Sequence, residues 1–199
     1  MAQQTAAVAG TASQRERRGR IVAAAQALLE EREYDRIQIR DVAEAAGVAL
    51  GTLYRYFPSK EQLFAHVLME WSAGFETTLR RRQARSGDDA ERLRLALRRA
   101  AAAFERHPHF FRLIAVLEVV DDPGVTAPFR THGERFTRAL ADTLPDVHPD
   151  DVAVIATMAQ SLLSTLLRSW AQGRRSMADV YEQLDRSVAL IFGTPRVST

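Results

Sequence analysis

The stretch Ile37–Lys60, IQIRDVAEAAGVALGTLYRYFPSK, decides how the rest of the chain is read. Ile39, Val42, Ala43 and Ala46 recur at the spacing of one helical face, and Gly47 stands where such a helix stops. A second short helix fits Ala49–Arg55. It turns Leu53 inward and leaves Thr52, Tyr54, Arg55 and Tyr56 outside, before Pro58 and Ser59 end it and open the next segment. Helix, glycine turn, helix is the arrangement that lays its second helix in the major groove of DNA. Exposed threonine, tyrosine and arginine after such a turn supply the donors that reach phosphates and base edges.

Upstream, Ile21, Val22, Ala25, Leu28 and Leu29 mark the buried face of a first helix, preceded by Arg15, Arg17, Arg18 and Arg20. Those arginines either neutralise phosphates from a mobile arm or solvate a helix start, where cations are unfavourable. Residues 1–13 are small and polar without periodicity and read as a disordered tail. Downstream, Ser59 and Gln62 form a capping box for a long helix carrying Leu63, Phe64, Val67, Leu68, Trp71 and Phe75. Helical patterns then cover about 88–106, 109–120, 126–143, 150–172 and 176–192, separated by proline and glycine punctuation. The chain reads as all-α, with about nine helices and no convincing strand. The head spans residues 14–60 and the body 61–199.

With 199 residues and 46% hydrophobic content, the chain can bury a core without staples. The absence of cysteine removes disulfides, thiolate metal sites and cysteine nucleophiles, and suits a reducing cytoplasm. The N-terminus lacks a basic start and a long apolar run, so it does not read as a secretory signal. No uninterrupted apolar stretch looks long enough to cross a bilayer, so a cytoplasmic protein with no membrane partner is expected. Net charge is +2, and residues 1–60 carry nine basic against seven acidic side chains, so any DNA footprint must be local. No phosphate loop, dinucleotide glycine pattern or nucleophile elbow is present. His107 and His109 flank Pro108 at a helix boundary without further metal ligands, and Asp121–Asp122 begin a turn-forming DDPG run. Catalytic residues, metal and cofactor are therefore expected to be absent. The alternative, a helical-bundle carrier or enzyme with no DNA role, would need a convergent acid-base or nucleophile group, and none is visible.

The segment GVALGTLYRYFPSKEQLF resembles the recognition segment of the TetR family, and Tyr34 with IQIRDVAEAAGV resembles the helix before it, a match running over roughly Arg15–Phe64. The resemblance implies that Thr52, Tyr54, Arg55, Tyr56 and Lys60 face DNA. Arg18, Gln38, Arg40, Ala49, Leu50 and Gly51 complete the candidate DNA-binding set. Leu50 departs from the polar residue common there and suits an apolar contact such as a thymine methyl. The resemblance also implies a body that encloses a ligand cavity beside the linking helix. Candidate lining residues are Trp71, Phe75, Phe104, Phe111, Ile114, Met158 and Leu162, the apolar kind such a cavity needs.

The last two helices carry apolar stripes at Val152, Ile155, Ala159, Leu163 and Leu167, and at Leu184, Val188 and Ile191. From the resemblance, these are expected to form a homodimer interface of four helices. QRERR at 14–18, GTLYRYFPSK and LDRSVALIFG at 184–193 further resemble KstR-type repressors of sterol and lipid catabolism. The implied protein is a ligand-responsive repressor that leaves a palindromic double-stranded operator when a small hydrophobic effector binds, an acyl-CoA or a sterol derivative. The linking helix is expected to be the only element that begins at the head and continues into the body, and so to carry the signal.

Overall fold

A computed structural model describes residues 2–81 and 87–193, with side chains for 12–74 and 87–193. Among the described residues there are nine α-helices and no strand. They are α1 (Ala2–Glu31), α2 (Ile39–Ala45), α3 (Leu50–Tyr56), α4 (Lys60–Arg81), α5 (Asp89–Arg106), α6 (Pro108–Leu117), α7 (Pro123–Ala141), α8 (Pro149–Ala171) and α9 (Met177–Ile191). A 3-10 turn, Tyr34–Arg36, follows α1. Of the tail expected over 1–13, the side chains of 1–11 lie outside the described residues, while Ala12 and Ser13 belong to α1 and are exposed.

The chain divides into two compact units, residues 1–71 with 112–129, and residues 72–111 with 130–199. Three helices, α4, α6 and α7, therefore run from one unit into the other. This corrects the expectation that the linking helix alone does so: the sequence locates helix ends, but which unit a corner between two helices joins is decided by packing.

In the first unit, Ile21, Val22, Ala25 and Leu29 of α1 are buried with Val42 and Ala43 of α2 and with Leu53 of α3. Phe57 and the α4 residues Leu63, Phe64, Val67 and Leu68 extend this core, to which the 112–129 segment adds Leu113, Leu117 and Val125. Ser59 caps α4, its Oγ accepting the Gln62 N–H at 3.1 Å. The reciprocal half of the expected capping box is not made, because the Gln62 side chain donates instead to Asp122 Oδ2 at 2.9 Å.

In the second unit, α5, α8 and α9 pack on one another. The alanines Ala96, Ala100 and Ala103 keep the packing face of α5 low, so that the larger side chains of α8 and α9 can bury against it. Ala159, Leu163, Leu167, Leu184 and Val188, expected at a subunit interface, are each at most 3% exposed and form the chain's own core. An amphipathic stripe reports that a face is buried and not what buries it. Val152, Ile155 and Ile191 are half-buried. The outward apolar side chains are different ones: Val154 at 56%, Met158 at 54% and Leu190 at 69% exposure.

Two apolar faces also explain why α8 is long and apolar enough to cross a membrane by length and composition, contrary to the expectation of no such stretch. The second unit is stapled at its edge by Arg92. Its Nε donates to the Thr143 carbonyl at 3.1 Å and its guanidinium pairs with Asp89 and Asp146. Ser176 caps α9 by accepting the Asp179 N–H at 3.1 Å.

Candidate nucleic-acid interface

The turn between α2 and α3 is built by hydrogen bonds as much as by sequence. The Gly47 N–H donates to the Glu44 carbonyl and the Val48 N–H to the Ala43 carbonyl, each at 3.0 Å, with Gly47 at φ 63°. This paired closure satisfies the last carbonyls of α2 and needs the left-handed residue that glycine supplies. It fixes the direction in which α3 leaves. Leu53 and Phe57, 0% and 1% exposed, then hold one side of α3 in the core.

Away from these anchors α3 exposes Leu50 at 43% and Tyr54 at 45%, with Ala49, Gly51 and Arg55 also exposed and Thr52 half-buried. Gln38 and Arg40 at the start of α2 are exposed. The Gln38 N–H donates to Asp41 Oδ2 at 3.3 Å, which ties the first turn of α2, and Arg40 lies 3.7 Å from Asp41. A threonine hydroxyl, a phenol, an amide and two guanidinium groups on an outward face can donate to phosphates and base edges.

Two residues expected to face DNA, Lys60 and Arg18, are engaged within the chain, and a third, Tyr56, has its hydroxyl buried. Lys60 Nζ donates to the Tyr34 carbonyl at 2.6 Å and stands 3.9 Å from the centre of the Tyr34 ring. Burial pulls its pKa down, opposed by Asp35 and Glu61. The Tyr34 hydroxyl donates to Glu61 Oε1 at 2.8 Å, and burial followed by that bond pushes its pKa far above the ordinary tyrosine range. The Tyr34 ring meets Phe64 edge-on at 5.2 Å. Lys60 thus fastens the 3-10 turn to α4, a role that depends on a residue 26 positions upstream. Tyr56 is half-buried, and its hydroxyl has no accessible surface and no hydrogen-bond partner. Arg18 is half-buried with its guanidinium 5.0 Å from the Phe57 ring centre. The charges of Lys60 and Arg18 are legible in the sequence, but the intramolecular partners that occupy them are not.

Of the residues expected around an effector, Phe104 and Phe111 meet edge-on at 5.4 Å in the second unit. Leu162 of that unit is half-buried. Trp71 and Ile114, both half-buried, belong to the first unit. The Phe75 side chain lies outside the described residues. Met158 points outward and so is no part of its unit's interior; its place in the α8 stripe is one register off the buried column. The sequence reading missed a polar contact between α7 and α8, where the Thr137 hydroxyl meets Gln160 Oε1. Gln160, the one side-chain amide of α8, was the available signal. One turn earlier on α7, burial lowers the pKa of His132 to about 4, so it is neutral at ordinary pH.

Comparison with known proteins places this geometry. The profile for bacterial regulatory proteins of the tetR family matches residues 21–67, and that for the tetracyclin repressor-like C-terminal domain matches residues 87–191. The chain is 32% identical over 187 residues to the HTH-type transcriptional repressor KstR of Mycolicibacterium smegmatis, covering 93% of this chain and 91% of that protein. It is similar to the crystal structure of a TetR transcriptional regulator from Rhodococcus sp. RHA1, with TM-score 0.74 and 26% identity over 92% of this chain and 99% of the other. A likeness of fold alone relates it to Thermus thermophilus FadR, a repressor crystallised with lauroyl-CoA, at TM-score 0.70 and 23% identity over 92% and 97% of the two chains. The chain belongs to the TetR family of DNA-binding bacterial transcriptional regulators.

Proposed function

We propose that the protein is a homodimeric repressor that binds a palindromic operator through α3 and is released by a hydrophobic acyl thioester. The observation that carries the reading is the two-sidedness of α3, anchored by Leu53 and Phe57 while Leu50, Gly51, Tyr54 and Arg55 face outward. Gln38 and Arg40 supply backbone-positioning contacts beside it, and base readout falls to Leu50, Thr52, Tyr54 and Arg55. Two copies present two such heads to one palindrome. The outward residues Val154 and Met158, four apart on α8, and Leu190 on α9 are the surface for the second copy, since large exposed apolar side chains mark association sites. The protein acts in the cytoplasm, where its DNA is.

The effector class is supported by the lauroyl-CoA held in the FadR structure of similar fold. Phe104, Phe111 and Leu162 of the second unit contact the acyl chain in this reading, and Thr137 with Gln160 meets a carbonyl. The test begins with an operator selected from a random-sequence DNA library and followed by fluorescence anisotropy. Lauroyl-CoA, stearoyl-CoA, a steroid acid and free coenzyme A are then titrated into the complex. Release by acyl-CoA and not by free coenzyme A is expected. Binding to DNA that none of the four disturbs refutes the effector assignment, and failure to select any sequence refutes the repressor reading itself.

A further inference from the structure

We propose that Gln62, Asp122 and Gly124 form a latch that holds the DNA-binding head in a fixed orientation, and that they are positioning residues for operator recognition. Gln62 lies in the first turn of α4, six residues beyond the end of α3. Its backbone N–H is taken by the Ser59 cap, and its side chain crosses to Asp122 on the corner between α6 and α7, 60 residues away in sequence.

Asp122 is itself held. Its Oδ1 accepts the Gly124 N–H at 2.8 Å, and its carbonyl accepts the Val125 and Thr126 N–H groups, each at 2.8 Å. The carboxylate therefore cannot follow a moving Gln62 without undoing the first turn of α7. The Gln62 amide, and after it the Gly124 N–H, keep the Asp122 carboxyl below the usual carboxylate range, so it is an ionised acceptor at neutral pH.

Gly124 completes the seat. A Cβ there would stand 2.5 Å from both Cδ and Nε2 of Gln62, so a side chain at this position displaces the amide from its seat. A second tie, between Arg112 and Glu33, joins α6 to the segment before the 3-10 turn. Both of its side chains are half exposed, which leaves it little free energy of its own and makes it a guide for direction.

The latch touches none of the side chains assigned to DNA. It acts through the first turn of α4, where Lys60 also grips the Tyr34 carbonyl, and so sets how α3 is presented. Its loss should leave each head competent for a half-site but free to adopt several orientations. A two-headed dimer then loses its preference for one half-site separation, because pre-organisation is what a fixed spacing rewards. This inference rests on the dimeric DNA-binding reading above.

The test compares the parent with Gln62→Ala, Gly124→Ala and Asp122→Asn. The last retains an acceptor for the Gly124 N–H and, with the Gln62 amide turned over, the cross-link. Dissociation constants are measured by anisotropy for the selected palindrome, for versions with one or two base pairs inserted between the half-sites, and for a single half-site. Gln62→Ala and Gly124→Ala are expected to lose about tenfold on the native palindrome, the low end of site-to-site couplings. Their discrimination against the altered spacings should flatten, half-site affinity and salt dependence should hold, and Asp122→Asn should match the parent. Equal losses on every DNA, or none on any, overturn the latch. A parent that binds a half-site as tightly as the palindrome refutes the two-headed reading and takes the latch's role with it.

Discussion

Leu184→Ala and Met158→Lys separate the chain's own core from its surface for a partner. Leu184 is fully buried on α9, so truncation removes a packed side chain and leaves a cavity, a change that costs about 2–5 kcal/mol. For a chain of 199 residues each kcal/mol lowers the melting temperature by about 2–4 °C, which puts the expected drop at about 5–20 °C. Met158 is 54% exposed in the single chain, and a surface exchange there shifts intrinsic stability by about 0.5 kcal/mol or less. In a two-fold interface the same lysine buries an uncompensated charge in both copies. At about 3 kcal/mol for each copy, the dissociation constant rises on the order of a hundredfold per copy.

The two variants therefore part in two measurements. Sedimentation velocity should find Leu184→Ala dimeric wherever it is folded and Met158→Lys monomeric at micromolar concentration. Thermal unfolding followed by circular dichroism should show the parent's midpoint rising with protein concentration, as linkage to dimerisation requires. Met158→Lys should abolish that dependence, while Leu184→Ala should shift the whole curve down and keep its slope. A Leu184→Ala protein that melts like the parent but sediments as a monomer would refute the assignment of Leu184 to the core. A dimeric Met158→Lys would remove α8's outer face from the interface.

Three further outcomes follow from the site. Lys60→Ala should cost about 1 kcal/mol of stability through the lost bond to the Tyr34 carbonyl yet leave the slope of log affinity against log salt unchanged, whereas Arg40→Ala or Arg55→Ala flattens it by about one; a flattened slope in the lysine variant would return Lys60 to the phosphate-contacting set. Tyr56→Phe removes a buried hydroxyl without a partner and should raise stability by about 1 kcal/mol with operator affinity kept, so weakened DNA binding would show that the hydroxyl turns outward on the operator. His132, whose folded pKa falls to about 4 through burial, takes up a proton in the unfolded chain first, so stability declines as pH falls from the ordinary histidine range toward 4. Denaturant unfolding should show a loss of about 2 kcal/mol between about pH 7 and about pH 5 in the parent and none in His132→Gln, and equal curves would contradict a buried neutral imidazole.

By itself the sequence determined what is local. The helices from α2 to α9 lie close to where periodicity and punctuation put them, and Gly47 and the Ser176 cap act within a few residues of their own positions. The recognition segment was legible for the same reason: its turn, its anchor Leu53 and its outward Tyr54 and Arg55 all fall within one short stretch.

Tertiary structure decided the partners that lie far apart in the chain. It took Leu163 and Leu184 into the chain's own core and left Val154 and Met158 outside, because periodicity marks a face as buried without naming what covers it. It drew Lys60 onto a carbonyl 26 residues upstream and Gln62 onto a carboxylate 60 residues downstream, since a polar side chain takes whichever partner folding brings within hydrogen-bond reach. It also joined the corner between α6 and α7 to the head, a grouping set by the burial of Leu113, Leu117 and Val125 that no local pattern encodes.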